Sequence, residues 1–308
     1  MKLAFLFAGQ GSQKAGMGRD LYENYPAFRA AFDSAQLDFD LRRVCFEDPD
    51  GVINQTRYTQ PCLVAFAAGV AAVLAENGIV PDYAAGLSLG EYSALHAAGV
   101  FSASQAIELV AFRGRVMEKA AEGVESAMTA VLMLGREALE RCCEEASDLG
   151  VVRICNYNCP GQLVIGGEKA AVEKAGELAK AAGARRLMPL RVSGPFHTPL
   201  MKPAGDALRV RFAGESFAEM KFPVLFNCLG REKGEEIVCE LLERQVHSSV
   251  YMEDTIRRLM ELGVDTVIEI GPGRALSGFV QKTAGNAITC YAVEDCQSLE
   301  AAIAAVRA

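Results

Sequence analysis

The segment PDYAAGLSLGEYSALHAAGV spans residues 81–100. Tyr83 to Leu87 is a short apolar run that reads as a buried strand. Ser88 follows at once between Gly86 and Gly90, and Glu91 to Ala98 resumes with small and apolar residues at helical spacing. Strand, sharp turn and helix in that order, with G-x-S-x-G at the turn, is the nucleophile-elbow pattern. The two glycines remove Cβ clashes so that the chain can reverse tightly. The serine would stand at the strand end with its Oγ exposed. The free N–H groups and the positive dipole end of the next helix would point to the same spot, where an oxyanion would form. The same letters also fit a glycine-rich turn whose serine only caps a helix, and spacing alone leaves both open.

Outward from that segment, the 308 residues suffice for a large core and more than one structural unit. Half the chain is apolar, and helical and strand patterns alternate throughout, so the fold class is α/β. No apolar run reaches membrane-spanning length without interruption. Met1 to Ala8 is too short for a signal segment and reads as a first buried strand. A net charge of −8 argues against general nucleic-acid binding. The ten cysteines show no C-x-x-C and no zinc spacing, so no metal is expected, and buried reduced thiols in a cytoplasmic protein are the natural account.

Lys2 to Phe7 is strand-like and runs into Ala8-Gly9-Gln10-Gly11-Ser12-Gln13. This loop lacks the G-K-[ST] of a P-loop, and Lys14 stands where the dinucleotide fingerprint needs glycine. A glycine-bent loop at the carboxyl end of a strand remains, either a plain turn or a source of backbone N–H groups for an oxyanion. Gln60 to Asn77 reads as a helix with Pro61 at its start, too apolar to lie on the surface. Ser102 reads as the N-cap of a helix running to about Gly123. Glu108, Arg115, Glu118 and Glu122 form a solvated, charge-paired face of that helix, whereas Arg113 sits on the apolar stripe with Leu109, Val116 and Met117. A guanidinium aimed at the core needs an anionic partner, either an internal carboxylate or that of a substrate held bidentately.

Ser126 to Arg191 reads as β-α-β-β-α-β, the ferredoxin-like unit, inserted between two halves of a larger α/β pattern. The expected division is therefore 1–125 with 192–308, and 126–191. Next comes Ser193-Gly194-Pro195-Phe196-His197-Thr198-Pro199, where prolines stiffen the loop around His197. Of three histidines, His96 reads as packed core and His247 as surface, so His197 is the candidate base if Ser88 needs one. A structural loop histidine is the alternative. Thr266 to Ile270 is a further strand, ending in Gly271-Pro272-Gly273.

FAGQGSQ at the start, YTQPCL at 58–63, GLSLGEYSAL at the elbow, Arg113-Gly114, NYNCPGQLVIGG, SGPFHTPLM around His197 and EIGPGRAL near the end together resemble one family. It is that of the malonyl-CoA:acyl carrier protein transacylases and the acyltransferase domains of polyketide synthases. The matches run in the family's order along nearly the whole chain. The resemblance implies an α/β-hydrolase-like large subdomain with an inserted ferredoxin-like small one. It implies Ser88 as nucleophile, His197 as base, and the N–H groups of Gln10 and Leu89 as oxyanion hole. Arg113 would hold the malonyl carboxylate and Phe196 would mark a malonyl setting. A main-chain carbonyl, placed by the resemblance at Tyr251, would orient the histidine. No cofactor is implied. The substrates would be malonyl-CoA and an acyl carrier protein, in the cytoplasm, and the enzyme a monomer.

Three positions depart from the family's pattern: Leu87 before the nucleophile, Ala8 in the first loop, and Ser249-Val250-Tyr251-Met252. A trans-acting acyltransferase of polyketide synthesis shares the same residues. A serine thioesterase shares Ser88 and His197 but has no use for Arg113, and a degenerate docking protein would need none of the three. Arg185, Arg186 and Arg191 are candidates for a carrier surface, or simply a solvated face.

Overall fold

Leu3-Ala-Phe-Leu-Phe7 is apolar at every position and forms a strand buried along its whole length. Such unbroken runs belong to parallel strands covered on both faces. The computed structural model describes residues 1–307. Its strands are β1 (Leu3–Phe7), β2 (Tyr83–Gly86), β3 (Ser126–Leu132), β4 (Val152–Cys159), β5 (Gln162–Glu168), β6 (Arg186–Pro189), β7 (Leu225–Phe226), β8 (Arg231–Glu232), β9 (Val250–Tyr251), β10 (Thr266–Ile270) and β11 (Thr289–Val293). The chain divides into two compact units.

The first unit contains residues 1–115, 216–226 and the chain from Ile256 onward. Its sheet runs β11-β10-β1-β2, every pair parallel. The ladder continues past the strands, with Ala8 N–H donating to the Ile270 carbonyl at 3.0 Å and Leu87 N–H to the Phe7 carbonyl at 3.0 Å. Thus the loops after β1, β2 and β10 leave the same edge of the sheet. Open parallel sheets place their sites at that carboxyl edge. Glu269 is fully buried in β10, yet it is satisfied: its carboxylate accepts from the N–H groups of Leu276 and Ser277 and so caps the helix Ala275–Ala284.

The long helix of this unit is Thr56–Glu76. It begins four residues before the expected start, so Pro61 lies inside it rather than at its head. Pro61 has no N–H to give the Arg57 carbonyl four residues before it. By length and mean hydropathy (1.6) the helix would pass for a membrane span, but 83% of that stretch is buried inside the protein. Two helices that the sequence reading did not resolve, Arg19–Asn24 and Pro26–Phe32, belong to the same unit. Gly69 leaves the space taken by the Phe28 ring, which stacks on Phe32 at 5.8 Å.

The second unit comprises residues 116–215 and 227–255. Its sheet order is β6-β3-β5-β4-β9, with β9 parallel to β4 and the other pairs antiparallel. The expected β-α-β-β-α-β order is present, with helices Arg136–Ala146 and Lys169–Ala181 between strands. Val131, Leu139, Ile154, Leu163, Ile165 and Val172 meet in its core. The 126–191 segment lies wholly inside this unit, which extends beyond it on both sides.

All ten cysteines are free thiols and seven are buried. Burial pushes the Cys143 thiol up to about 12, which keeps it protonated. Ser102 caps its helix through Oγ, accepting from the Gln105 N–H at 3.1 Å. On the expected charged face of that helix, Arg115 lies 3.7 Å from Asp38, and Glu108 accepts from Ser104 and the Gln36 amide.

Candidate active site

Ser88 sits where β2 turns into the helix Gly90–Ala97. Its φ is 53°, a left-handed conformation that costs a non-glycine residue free energy. The two glycines are sterically required. A Cβ on Gly86 would fall into the backbone of Gly90, and a Cβ on Gly90 would fall into the Phe7 carbonyl. Hence the helix start is pressed against the ends of β1 and β2, and the serine is pushed out at the bend. Among the described residues only Asp48, Ser88, Met133 and His197 are non-glycine with positive φ. Two of these four are the residues read from the sequence as nucleophile and base. Backbone strain concentrates at functional sites.

The Gly9–Gln13 loop lies beside this bend. A Cβ on Gly9 would strike the Leu87 carbonyl, so only glycine permits the approach. The loop is held by Gln10 Nε2 donating to Thr56 Oγ1 at 3.0 Å and by Ser12 Oγ donating to the Gly9 carbonyl at 2.9 Å. The backbone N–H groups of Gln10 and Leu89 have no acceptor among the described residues. Leu89 is also buried. One uncommitted amide at a helix start next to the serine and another in the adjoining loop are suited to a developing oxyanion.

Arg113 is 1% exposed, and its Nη2 donates to Ser88 Oγ at 3.2 Å. Gly114 makes this possible: a Cβ there would meet Arg57 Cα at 2.8 Å, so the helix could not lie where it does. The guanidinium stands over the Tyr92 ring, Cζ 5.6 Å from the centroid. Burial pushes the Arg113 pKa down, while Tyr92 and the buried Glu91 act in the opposite sense. Glu91 supports the cation from within the protein, and the guanidinium also reaches the serine oxygen.

In the second unit, His197 is 3% exposed with φ 63°. Its ring Nδ1 bonds the Gln245 carbonyl at 2.9 Å, and its backbone N–H donates to the Val246 carbonyl at 3.1 Å. A carbonyl can only accept, so Nδ1 carries the proton and Nε2 keeps its lone pair. Tyr251 was expected to supply the orienting carbonyl, and this is corrected. The Tyr251 carbonyl accepts from Thr255 Oγ1 at 2.9 Å, its N–H donates to Asn227, and its ring stacks on Tyr157. Gln245 has the orienting role because it ends the helix Val238–Gln245, where the last carbonyls lack helical donors. Phe196, beside the histidine, is buried.

A family model described as "Acyl transferase domain" matches residues 4–302. The chain belongs to the acyltransferase family. As an acyltransferase it is 42% identical, over 98% of its length and 96% of the relative's, to the malonyl CoA-acyl carrier protein transacylase of Bacillus subtilis. The solved MCAT of Streptococcus pneumoniae is 46% identical with TM-score 0.94, covering 99% of this chain and all of the other. A malonyl-transacylase solved in complex with its type II polyketide acyl-carrier protein is 40% identical with TM-score 0.94, over 99% of this chain and all of that one.

The acyltransferase thus has Ser88, Arg113 and the amides of Gln10 and Leu89 assembled in the first unit, and His197 with Phe196 in the second. Glu91 and Tyr92 were missed by the sequence reading. An acid and a phenol three and four residues past the serine, in an otherwise small and apolar helix, were the available signal.

Proposed function

We propose that the acyltransferase moves malonyl from malonyl-CoA to the phosphopantetheine thiol of an acyl carrier protein through a malonyl-Ser88 ester, supplying units for fatty-acid synthesis. The observation that carries this is the buried guanidinium of Arg113 beside Ser88 Oγ. Malonate places its free carboxylate two carbons from the acyl carbon. A cation within hydrogen-bond reach of the nucleophile suits a diacid that short, and the fork of a guanidinium matches a carboxylate.

His197 Nε2 takes the Ser88 proton, and Oγ attacks the thioester carbonyl. The oxyanion is stabilised by the amides of Gln10 and Leu89, each worth about 10²-fold in rate. The C–S bond breaks, and His197 returns its proton to the leaving coenzyme A thiol. The carrier thiol then gives its proton to His197 and attacks the ester, and Ser88 leaves with that proton restored. The Gln245 carbonyl holds the ring in the tautomer this needs. No step calls on a cofactor.

In finer terms the fold reads as an α/β-hydrolase-like part, supported by the parallel sheet, and a ferredoxin-like part. The latter is supported by the order β6-β3-β5-β4, the fourth, first, third and second strands of its β-α-β-β-α-β run. The reading implies a monomer in the cytoplasm. Its test is malonyl transfer from malonyl-CoA to a holo carrier protein, compared for wild type, Ser88→Ala and Arg113→Ala. Release of malonate to water without transfer would favour a thioesterase instead.

A further inference from the structure

A column of rings behind Arg113 leads from the half-buried Phe217 to the nucleophile. Phe217 meets Phe101 edge-on at 5.2 Å, Phe101 stacks on Tyr92 at 6.2 Å and 17°, and the Arg113 guanidinium stands over the Tyr92 ring at 5.6 Å. Arg113 then bonds Ser88 Oγ. Tyr92 is wholly buried; its hydroxyl interacts with the Arg113 guanidinium but makes no well-formed hydrogen bond. A buried phenol without a well-formed hydrogen bond gains little stability from its hydroxyl, and the ring is the part that the guanidinium stands over.

We infer that Tyr92, backed by Phe101, is a positioning residue that sets the plane of the Arg113 guanidinium and thereby the enzyme's preference for carboxylated acyl groups. This rests on the reading of Arg113 as the carboxylate anchor. An arginine side chain has several rotatable bonds and, in a buried site, must be fixed to present its fork to a small diacid. The aromatic face supplies that fixation through its π system, under the plane of the guanidinium. Tyr92 touches no reacting atom and acts through Arg113. Its removal therefore affects the acyl group that Arg113 binds and spares the attack on a thioester that Arg113 does not touch.

The experiment is steady-state kinetics of malonyl and acetyl transfer from their coenzyme A thioesters to holo carrier protein, for wild type, Arg113→Ala, Tyr92→Phe, Tyr92→Leu and Phe101→Leu. Tyr92→Leu is expected to lower the malonyl-to-acetyl ratio of kcat/KM about 10-fold, mainly through malonyl KM. Tyr92→Phe, which keeps the ring, should hold the ratio within about 2-fold of wild type. Phe101→Leu should move it in the same direction as Tyr92→Leu by a smaller factor, and it serves if Tyr92→Leu does not fold. If Arg113→Ala lowers the ratio while both leucine variants leave it unchanged, the inference is wrong and the anchor reading stands. A ratio unmoved by Arg113→Ala overturns the anchor reading itself, and the role of Tyr92 with it. Equal losses for malonyl and acetyl in Tyr92→Leu would mean that the ring merely supports the fold.

Discussion

The ring of His197 donates its Nδ1 proton to the main-chain carbonyl of Gln245 at 2.9 Å, at the end of the helix Val238–Gln245. A helix terminus here does what a carboxylate does in a triad: it fixes the tautomer and leaves Nε2 as a base. The carbonyl end of a helix is also its negative end, so it favours a positively charged ring, as the proposed proton transfer requires. Replacing His197 by Ala should slow acylation of Ser88 about 10²- to 10⁴-fold, measured in a single turnover with excess malonyl-CoA. Malonyl-CoA binding should change little. A loss below about 10-fold would remove His197 from the role of base.

Arg113 should separate malonyl from acetyl. A charge-assisted hydrogen bond to a carboxylate is worth about 1.5–3 kcal/mol, which is about 10- to 150-fold in preference. Arg113→Ala should lose that factor in competition between the two thioesters. Arg113→Lys should recover only part of it, because an ammonium cannot form the paired bonds of the fork.

The elbow glycines should be matters of stability before they are matters of rate. Gly90→Ala drives a methyl into the Phe7 carbonyl, and overpacking against backbone that cannot move costs about 3 kcal/mol. Urea unfolding should report this as a lower midpoint. Gly273→Ala is a useful contrast. Unlike Gly90 it has positive φ, at 84°, and open space where the Cβ would go, so its cost should be limited to the backbone strain of about 1 kcal/mol.

Much of this was legible in the sequence, for physical reasons that differ from residue to residue. Gly86, Ser88 and Gly90 could be read because a tight strand-to-helix bend admits few other residue types. Arg113 stood out because a charge on an apolar stripe violates the helical pattern. The orienting carbonyl was assigned to Tyr251 instead of Gln245 because every residue has a carbonyl, so nothing in a side chain marks which one is used. The helices Arg19–Asn24 and Pro26–Phe32 were passed over because each is two turns or less, too short for a clear period. Pro61 drew the start of the long helix four residues late, because proline is usual at a helix head but tolerable in its second turn.

Two histidines set a pH dependence of stability apart from catalysis. His96, bonded through Nδ1 to the Phe101 carbonyl and facing Lys221, has its pKa pushed below the ordinary 6.5 by burial. His247, facing Lys202, Glu243 and Asp206, is lowered chiefly by burial too. Both stay neutral in the folded protein over a range where the unfolded chain takes up protons. Stability should therefore fall as pH drops through 6.5 toward their lowered folded values, and be complete above it. Urea midpoints at about pH 7.5 and 5.5 should show this drop. A double variant, His96→Gln with His247→Gln, should flatten it. An unchanged slope in that variant would assign the pH dependence to other groups.

The central claim is a malonyl-Ser88 intermediate that passes to a carrier protein. Intact-protein mass spectrometry after mixing with malonyl-CoA tests it most directly. Wild type should gain one malonyl-sized adduct, Ser88→Ala should gain none, and added holo carrier should remove the adduct from the enzyme and carry the same mass itself. An adduct that survives Ser88→Ala, or one that is lost to water and never reaches the carrier, would contradict the account.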